Sequence, residues 1–103
     1  MSVVLLIEHD DGRSDLVPVA TEAIFSTHWQ PLCRALGLIW VPLFQTGIPV
    51  YAADVDDILD ELGRFLDVAR STSDGGQVAV CARGLIDALR AVDFDAVNSV
   101  FIG

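Results

Sequence analysis

Residues 54–71, DVDDILDELGRFLDVARS, carry the strongest structural signal in the chain. Their apolar side chains recur every three or four residues, which is the spacing of one face of an amphipathic helix. That stripe consists of Val55, Ile58, Leu59, Leu62, Phe65, Leu66 and Ala69. Asp54 is a residue type that caps helix starts, and Arg70 suits the negative end of the helix dipole. The stretch therefore predicts a helix that buries one face and exposes an acidic one.

Two further stretches have helical spacing. The first comprises Phe25, Trp29, Leu32 and Leu36. Thr21 is a candidate cap at its start, Gly37 is a candidate terminator, and Pro31 predicts a kink or two short helices meeting near residue 30. The second, residues 77–92, comprises Val78, Cys81, Leu85, Leu89 and Val92. We expect three helical regions in all.

The remaining apolar stretches are typical of strands. Residues 3–7, VVLLI, predict a buried strand, and residues 16–20 predict a second that Pro18 confines to a sheet edge. Residues 38–44 and 48–52 predict a hairpin, and residues 98–102 a final strand. The predicted fold is one α+β domain over residues 1–103, with a small, mostly antiparallel sheet and about three helices packed on one face.

Charge excludes several classes of function. The 103 residues include 15 acidic and 6 basic side chains, for a net charge of −9. A protein with a pI near 4.2 has no basic surface for phosphates, so neither nucleic acid nor an anionic membrane is an expected partner. With 52% apolar residues, the chain has enough hydrophobic side chains to fold. The start, MSVVLLIEHDD, lacks the basic region of a signal peptide, so we expect a cytoplasmic protein.

Two segments account for the whole net charge. They are residues 8–22, with five acids and Arg13, and residues 54–67, with six acids and Arg64. One interpretation is a solvated surface whose first-turn acids complement the helix dipole. The other is a docking face for a basic partner. The candidate binding residues are Asp56, Asp57, Asp60, Glu61 and Asp67, then Asp10 and Asp11, with Trp40 as an aromatic anchor at an exposed edge.

No motif for catalysis or metal binding stands out. His9, Asp10 and Asp11 lack the ligand ladder of a calcium loop, so a hairpin loop is the expected structure there. The serines lack a nucleophile elbow, and Asp87, within an apolar helix, is expected to pair with Arg83 or Arg90. Cys33 and Cys81 lack metal or redox spacing and are expected to be reduced and buried. We therefore predict a protein that is not an enzyme and has no metal or cofactor.

Three segments resemble small bacterial immunity proteins of toxin–immunity systems. They are the acidic run DVDDILDEL at residues 54–62, the run WQPLCRALGL at residues 29–38, and Phe101 to Gly103 at the end of the sequence. The resemblance implies a cytoplasmic protein that binds a cognate, often basic, toxin and blocks its active site. No immunity residue is carried over position by position, because these segments are not a diagnostic motif.

Self-association is the competing hypothesis. A homo-oligomeric accessory or regulatory domain, such as a homodimer, would bury surplus apolar surface against a second copy, and its acids would serve solubility alone. A monomer whose association with one basic protein slows steeply in salt favours the inhibitor. A salt-insensitive dimer without a partner favours the accessory domain.

Overall fold

The computed structural model describes residues 2–72 and 76–103, which form four strands and several helical segments. The strands are β1 (Ser2–His9), β2 (Ser14–Thr21), β3 (Ile48–Pro49) and β4 (Val97–Ile102). The helices are α1 (Glu22–Ile24), α2 (Gln30–Leu36), α3 (Val55–Ser71) and α4 (Gly76–Ala91). A π-helical turn, Phe25–Trp29, joins α1 to α2, and two 3₁₀ helices span Val41–Gln45 and Ala52–Asp54. This arrangement confirms the predicted α+β fold.

The four strands form one antiparallel sheet in the order β2-β1-β4-β3. Alternation along β1 separates its two faces: Val3, Leu5 and Ile7 are buried, whereas Glu8 is exposed. The buried face packs against the helices. β2 lies at an edge of the sheet, as Pro18 predicts, because proline cannot donate a ladder hydrogen bond.

The helices α3 and α4 confirm the two longest helix predictions. Only four residues, 72–75, separate them, which is too short a connection to return along the length of either helix. Because they also pack together, they are antiparallel, and α3 begins at the end of the molecule where α4 finishes. The predicted cap at Asp54 is wrong: its side chain makes no capping bond, because Asp54 already has helical backbone angles at the end of a 3₁₀ turn.

The first helical region follows its predicted boundaries. The Thr21 hydroxyl accepts a hydrogen bond from the Ile24 N–H at 3.2 Å, and Gly37 ends α2 in the left-handed conformation with φ of 67°. The predicted irregularity near Pro31 is present as the π-helical turn, which gives way to α2 at Gln30. Pro31 has no N–H, so the ordinary helical ladder is interrupted here.

The predicted hairpin over residues 38–52 is wrong. Residues 41–45 form a 3₁₀ helix, and β3 has only two residues, which pair with β4. The buried side chains Leu38, Val41 and Phe44 recur every three residues, which suits a helical turn and not a strand. Pro42 removes a ladder donor, and the side chain of Glu61 binds the neighbouring N–H groups. Residues 39–42 therefore have no backbone N–H available for strand pairing.

Candidate protein-binding site

The turn between β1 and β2 presents several charged side chains in a small volume. The His9 N–H donates to the Arg13 carbonyl at 2.8 Å, and Gly12 adopts a φ of 90° that the tight turn requires. The Arg13 guanidinium donates to Asp11 Oδ2 at 2.7 Å. The Arg13 backbone N–H and then this guanidinium hold the pKa of Asp11 below its ordinary value. Asp10 and Asp11 are both exposed, as predicted for residues at a hairpin tip.

The connection between α4 and β4 brings two more carboxylates to this turn. The Asp10 N–H donates to the Ala96 carbonyl at 3.1 Å, which ties the hairpin tip to the connection. Asp93 and Asp95 are exposed there, and the Asp95 N–H donates to Asp93 Oδ1 at 3.0 Å. We call Asp10, Asp11, Asp15, Asp93 and Asp95 the acidic end. Sequence reasoning missed its last two members because about 80 residues separate them from the first.

A groove of about 600 Å³ lies between the hairpin and the last turns of α4. Its apolar lining includes Ile7, Val17, Ala88, Val92 and Val97. Its polar lining includes His9, Arg13, Asp15 and Asp93. His9 Nε2 lies 2.8 Å from Asp15 Oδ2, and this contact fixes one side of the opening. The lining thus combines apolar side chains with the two carboxylates of Asp15 and Asp93, and we refer to it as the acidic groove.

The predicted acidic helix face is present on α3, apart from one residue. Asp56, Asp57, Asp60 and Asp67 are exposed, and we call them the α3 aspartates. Arg64 Nε lies 3.6 Å from Asp60 Oδ2, so one of the four has a cationic neighbour. The segment leading into α3 lines a shallow pocket with Phe94, next to Asp93. The start of α3 therefore lies beside the acidic end.

Glu61 does not belong to the exposed face, contrary to the sequence prediction. It is 6% exposed, and its carboxylate accepts three backbone hydrogen bonds. The donors are the N–H groups of Ile39 at 3.0 Å, Trp40 at 2.9 Å and Val41 at 3.1 Å. These N–H groups open the 3₁₀ helix and lack partners within it. The negative charge of Glu61 is thus used inside the molecule and is unavailable to a partner.

The aromatic anchor predicted at Trp40 is also different in the structure. Trp40 is half-buried against the core and precedes the 3₁₀ helix, so it does not lie on an exposed strand edge. Its neighbour Ile39 is 72% exposed. Because Glu61 binds both backbone N–H groups, Ile39 is held beside α3 with its side chain toward solvent. Sequence reasoning missed Ile39 because it assigned residues 38–44 to a strand.

The remaining chemical candidates have structural roles. Arg83 Nε lies 3.3 Å from Asp87 Oδ1, and both side chains are more than half exposed, so Asp87 is not the buried acid that proton transfer requires. Within residues 2–72 and 76–103, no three His, Cys, Asp or Glu side chains are grouped to hold a metal ion.

Cys33 is buried as predicted, whereas Cys81 is partly exposed, contrary to prediction. In the same part of the chain, no helix combines the length and apolarity needed to cross a membrane.

Comparisons with known proteins add no further constraint. Neither the protein-family models, nor the curated proteins, nor the solved structures include a match to this chain. The candidate site therefore depends on its own geometry.

Proposed function

We propose that this chain is an immunity protein that binds and neutralises a basic toxin domain, with the acidic groove as its principal contact surface. The observation that carries the proposal is the groove itself, whose lining combines apolar side chains with the exposed carboxylates of Asp15 and Asp93. A flat acidic surface would be explained by solubility alone. A concave acidic surface with apolar side chains in its lining also matches the shape and chemistry of a protruding basic side chain.

An arginine or lysine of the partner fits this groove in a specific way. Its aliphatic stem would lie along Val17, Val92 and Val97, and its charged head would reach Asp15 and Asp93 at the rim. His9 already contacts one oxygen of Asp15, and the Asp95 N–H donates to one oxygen of Asp93, so each carboxylate has a second oxygen without a hydrogen bond in the described residues. The rim therefore keeps carboxylate oxygens for an incoming cation.

The charge of the whole molecule supports rapid association. A net charge of −9, with five exposed aspartates at the acidic end, attracts a cationic partner before contact and orients the encounter. The same arrangement resembles a polyanionic substrate, which is how an acidic inhibitor occupies the active site of a nuclease-like toxin. The expected consequence is an association rate that falls steeply as salt is added.

The α3 aspartates form a second part of the proposed surface. Exposed Ile39, whose N–H bonds to Glu61 of the same helix, supplies an apolar side chain near α3. Binding surfaces derive much of their affinity from a few desolvated apolar residues within a polar rim. Ile39 therefore replaces Trp40 as the proposed anchor, and Glu61 contributes by holding it in place.

Co-expression with a toxin tests the proposal. The toxin candidate is the basic C-terminal domain of a secreted protein encoded by the adjacent gene, and growth rescue is the measurement. We expect Asp15→Lys with Asp93→Lys to abolish rescue, because these are the two carboxylates that line the groove, and Asp56→Lys with Asp60→Lys to reduce it. Glu22→Lys with Asp87→Lys is the control, because it changes the net charge equally outside both surfaces. Glu61→Lys is unsuitable, since it would place a cation against three buried N–H groups.

The outcomes separate the two surfaces and the function. Full rescue by the Asp15/Asp93 variant would remove the acidic groove as the contact surface. Equal loss in the Glu22/Asp87 control would show that only net charge matters. An adjacent gene without a basic toxin domain, together with no binding to one, would overturn the immunity function.

The open face of the sheet favours a second candidate, a homo-oligomeric accessory domain. Leu16, Leu6, Phe101 and Pro49 are successive register partners across all four strands. Leu16 is 66% exposed and Phe101 39% exposed, so an uncharged apolar row crosses the solvent side of the sheet. Light scattering distinguishes the candidates: a salt-insensitive dimer that Leu16→Arg converts to a monomer favours this one.

A further inference from the structure

The outer side of β2 presents backbone groups that no neighbouring strand uses. β2 is the first strand in the sheet order β2-β1-β4-β3, so only one of its sides is paired. The Val4 N–H donates to the Gly103 carbonyl at 3.1 Å, and the Gly103 N–H donates to the Val4 carbonyl at 2.9 Å, so the backbone groups of Val4 face β4. Pro18 is the register partner of Val4 in β2, and it therefore directs its nitrogen and carbonyl away from β1.

The same alternation assigns the residues that precede Pro18. The His9 N–H donates to the Arg13 carbonyl at 2.8 Å, so the odd-numbered residues at this end of β2 face β1 and the even-numbered ones face outward. The outward groups are the N–H and carbonyl of Ser14, the N–H and carbonyl of Leu16, and the Pro18 carbonyl. All three residues are exposed. We call this set of backbone groups the open edge.

The open edge has a defined end. Pro18 has no N–H to donate, and the register shift between Val3 and Val4 leaves Val19 as the extra residue of a bulge. An added strand could therefore pair with residues 14–18 but not beyond them. β3, at the other edge of the sheet, has only two residues, one of which is Pro49. It offers no comparable length of backbone.

The side chains along the open edge indicate which kind of strand fits it. Asp15 and Val17 line the acidic groove, whereas Leu16 is 66% exposed and belongs to the opposite face of the sheet. An added strand would place one side chain beside Leu16 and the two flanking ones toward Asp15 and Val17. Alternation of basic and apolar residues matches this arrangement. A second copy of β2 matches it poorly, because it would bring another Asp15 and a further net charge of −9.

We propose that the open edge binds an extended basic segment of the partner as an added antiparallel strand. An apolar side chain of that segment lies beside Leu16, and its arginine or lysine side chains face Asp15 and the acidic groove. Main-chain hydrogen bonds supply the register, and the groove selects the charge. The inference rests on the proposed function, because it specifies how a basic toxin domain would contact the groove.

A synthetic peptide separates strand pairing from attraction by charge. The probe is acetyl-STRVRTS-amide, whose valine is placed opposite Leu16. Its control carries a methyl group on the valine backbone nitrogen, which removes the donor to the Leu16 carbonyl and keeps every charge. At low salt we expect saturable binding of the probe, and a Kd at least ~10-fold higher for the methylated peptide. Hydrogen exchange at the Ser14 and Leu16 amides should slow when the probe binds.

A pair of protein variants tests the other side of the same hydrogen bonds. Leu16→Pro removes an N–H that faces away from β1, so the pairing of β1 with β2 keeps all its bonds. Leu16→Ala is the matched control, because it shortens the side chain and keeps the N–H. We expect Leu16→Pro to raise the Kd of the probe at least ~10-fold and Leu16→Ala to raise it less than about 3-fold. Urea unfolding shows whether both variants fold, and the methylated peptide tests the proposal on the wild-type protein independently of them.

Four results would overturn strand addition. They are no binding of the probe, equal affinity for the two peptides, unchanged hydrogen exchange at Leu16, and a dimer in light scattering that Leu16→Pro dissociates, which would make the occupant a second copy. If growth rescue still fails in the Asp15/Asp93 variant, the acidic groove remains the toxin contact although strand addition is wrong. If the peptide results hold but no toxin is bound or neutralised, the immunity function fails and the open edge remains a site for a basic strand.

Discussion

The two ends of the sheet differ in almost every physical property. At the acidic end, carboxylates lie on exposed loops around an open groove. At the other end, a cavity between the start of β1, the end of β2 and the start of α4 has an uncharged lining, and Trp29 beside it is fully buried among aromatic rings. The difference shows that a net charge of −9 does not describe the surface as a whole. One end exposes carboxylates to solvent, and the other presents uncharged side chains.

Truncation of Trp29 should give the largest change in stability. We expect Trp29→Ala to lower the free energy of unfolding by about 4 kcal/mol, because it removes a fully buried ring that stacks on Phe25 and Phe65. Asp10→Asn at the acidic end should change it by less than about 0.5 kcal/mol. Urea denaturation measures both. Similar losses in the two variants would contradict the contrast between the two ends.

Loss of the Glu61 carboxylate should give the next largest effect. We expect Glu61→Gln to cost about 3 kcal/mol, because an amide keeps one acceptor oxygen and places a donor against backbone N–H groups. Asp60→Asn is the matched control one residue away, and it should cost less than about 0.5 kcal/mol, since Asp60 is exposed. Hydrogen exchange at Ile39, Trp40 and Val41 should accelerate in Glu61→Gln alone. Unchanged exchange there would show that Glu61 does not hold this segment.

The two thiols should differ in reactivity toward a disulfide reagent. Labelling them is the test with the smallest expected effect on stability. Burial, and then the negative charge of Glu61, raises the pKa of Cys33 to about 12, whereas Cys81 is partly exposed at the cavity. At pH 8 we expect a disulfide reagent to label Cys81 in the folded protein and both cysteines in urea. Rapid labelling of Cys33 without denaturant would contradict its burial.

The raised pKa of Cys33 also predicts a dependence of stability on pH. The folded protein holds the thiol proton more tightly than the unfolded chain, where the ordinary pKa is 9.0. The stabilising contribution is therefore complete below pH 9.0 and is lost as the pH rises toward about 12. Urea unfolding across this interval should show the decline, and Cys33→Ala should remove that part of it.

Local patterns predicted most of the fold. The apolar spacing of α3 and α4, the capping hydroxyl of Thr21 and the left-handed Gly37 all act within a few residues of sequence, so they can be recognised without tertiary contacts. Residues 38–52 could not be predicted in this way. Their β-forming composition was overridden by Glu61, which lies about 20 residues away and binds three of their N–H groups.

The candidate site was predicted only in part, for a similar reason. The exposed α3 aspartates follow from the helical period, and Asp10 and Asp11 from the turn chemistry. Glu61 has the same charge as its neighbours, and only its position at the boundary of the apolar stripe hinted at burial. Asp93 and Asp95 joined the acidic end through the bond between Asp10 and Ala96, which no sequence pattern indicates.

The sequence by itself determined the fold class, the main helices, the edge position of β2 and the excess of acid, because these depend on periodicity, proline geometry and composition. The tertiary structure decided which carboxylates face solvent, where a groove opens and which backbone N–H groups face outward from the sheet. Those properties depend on groups that are distant in the chain and adjacent in space. Asp60 and Glu61 illustrate the division: they are neighbours in sequence, yet one is exposed to solvent and the other holds a distant segment in place.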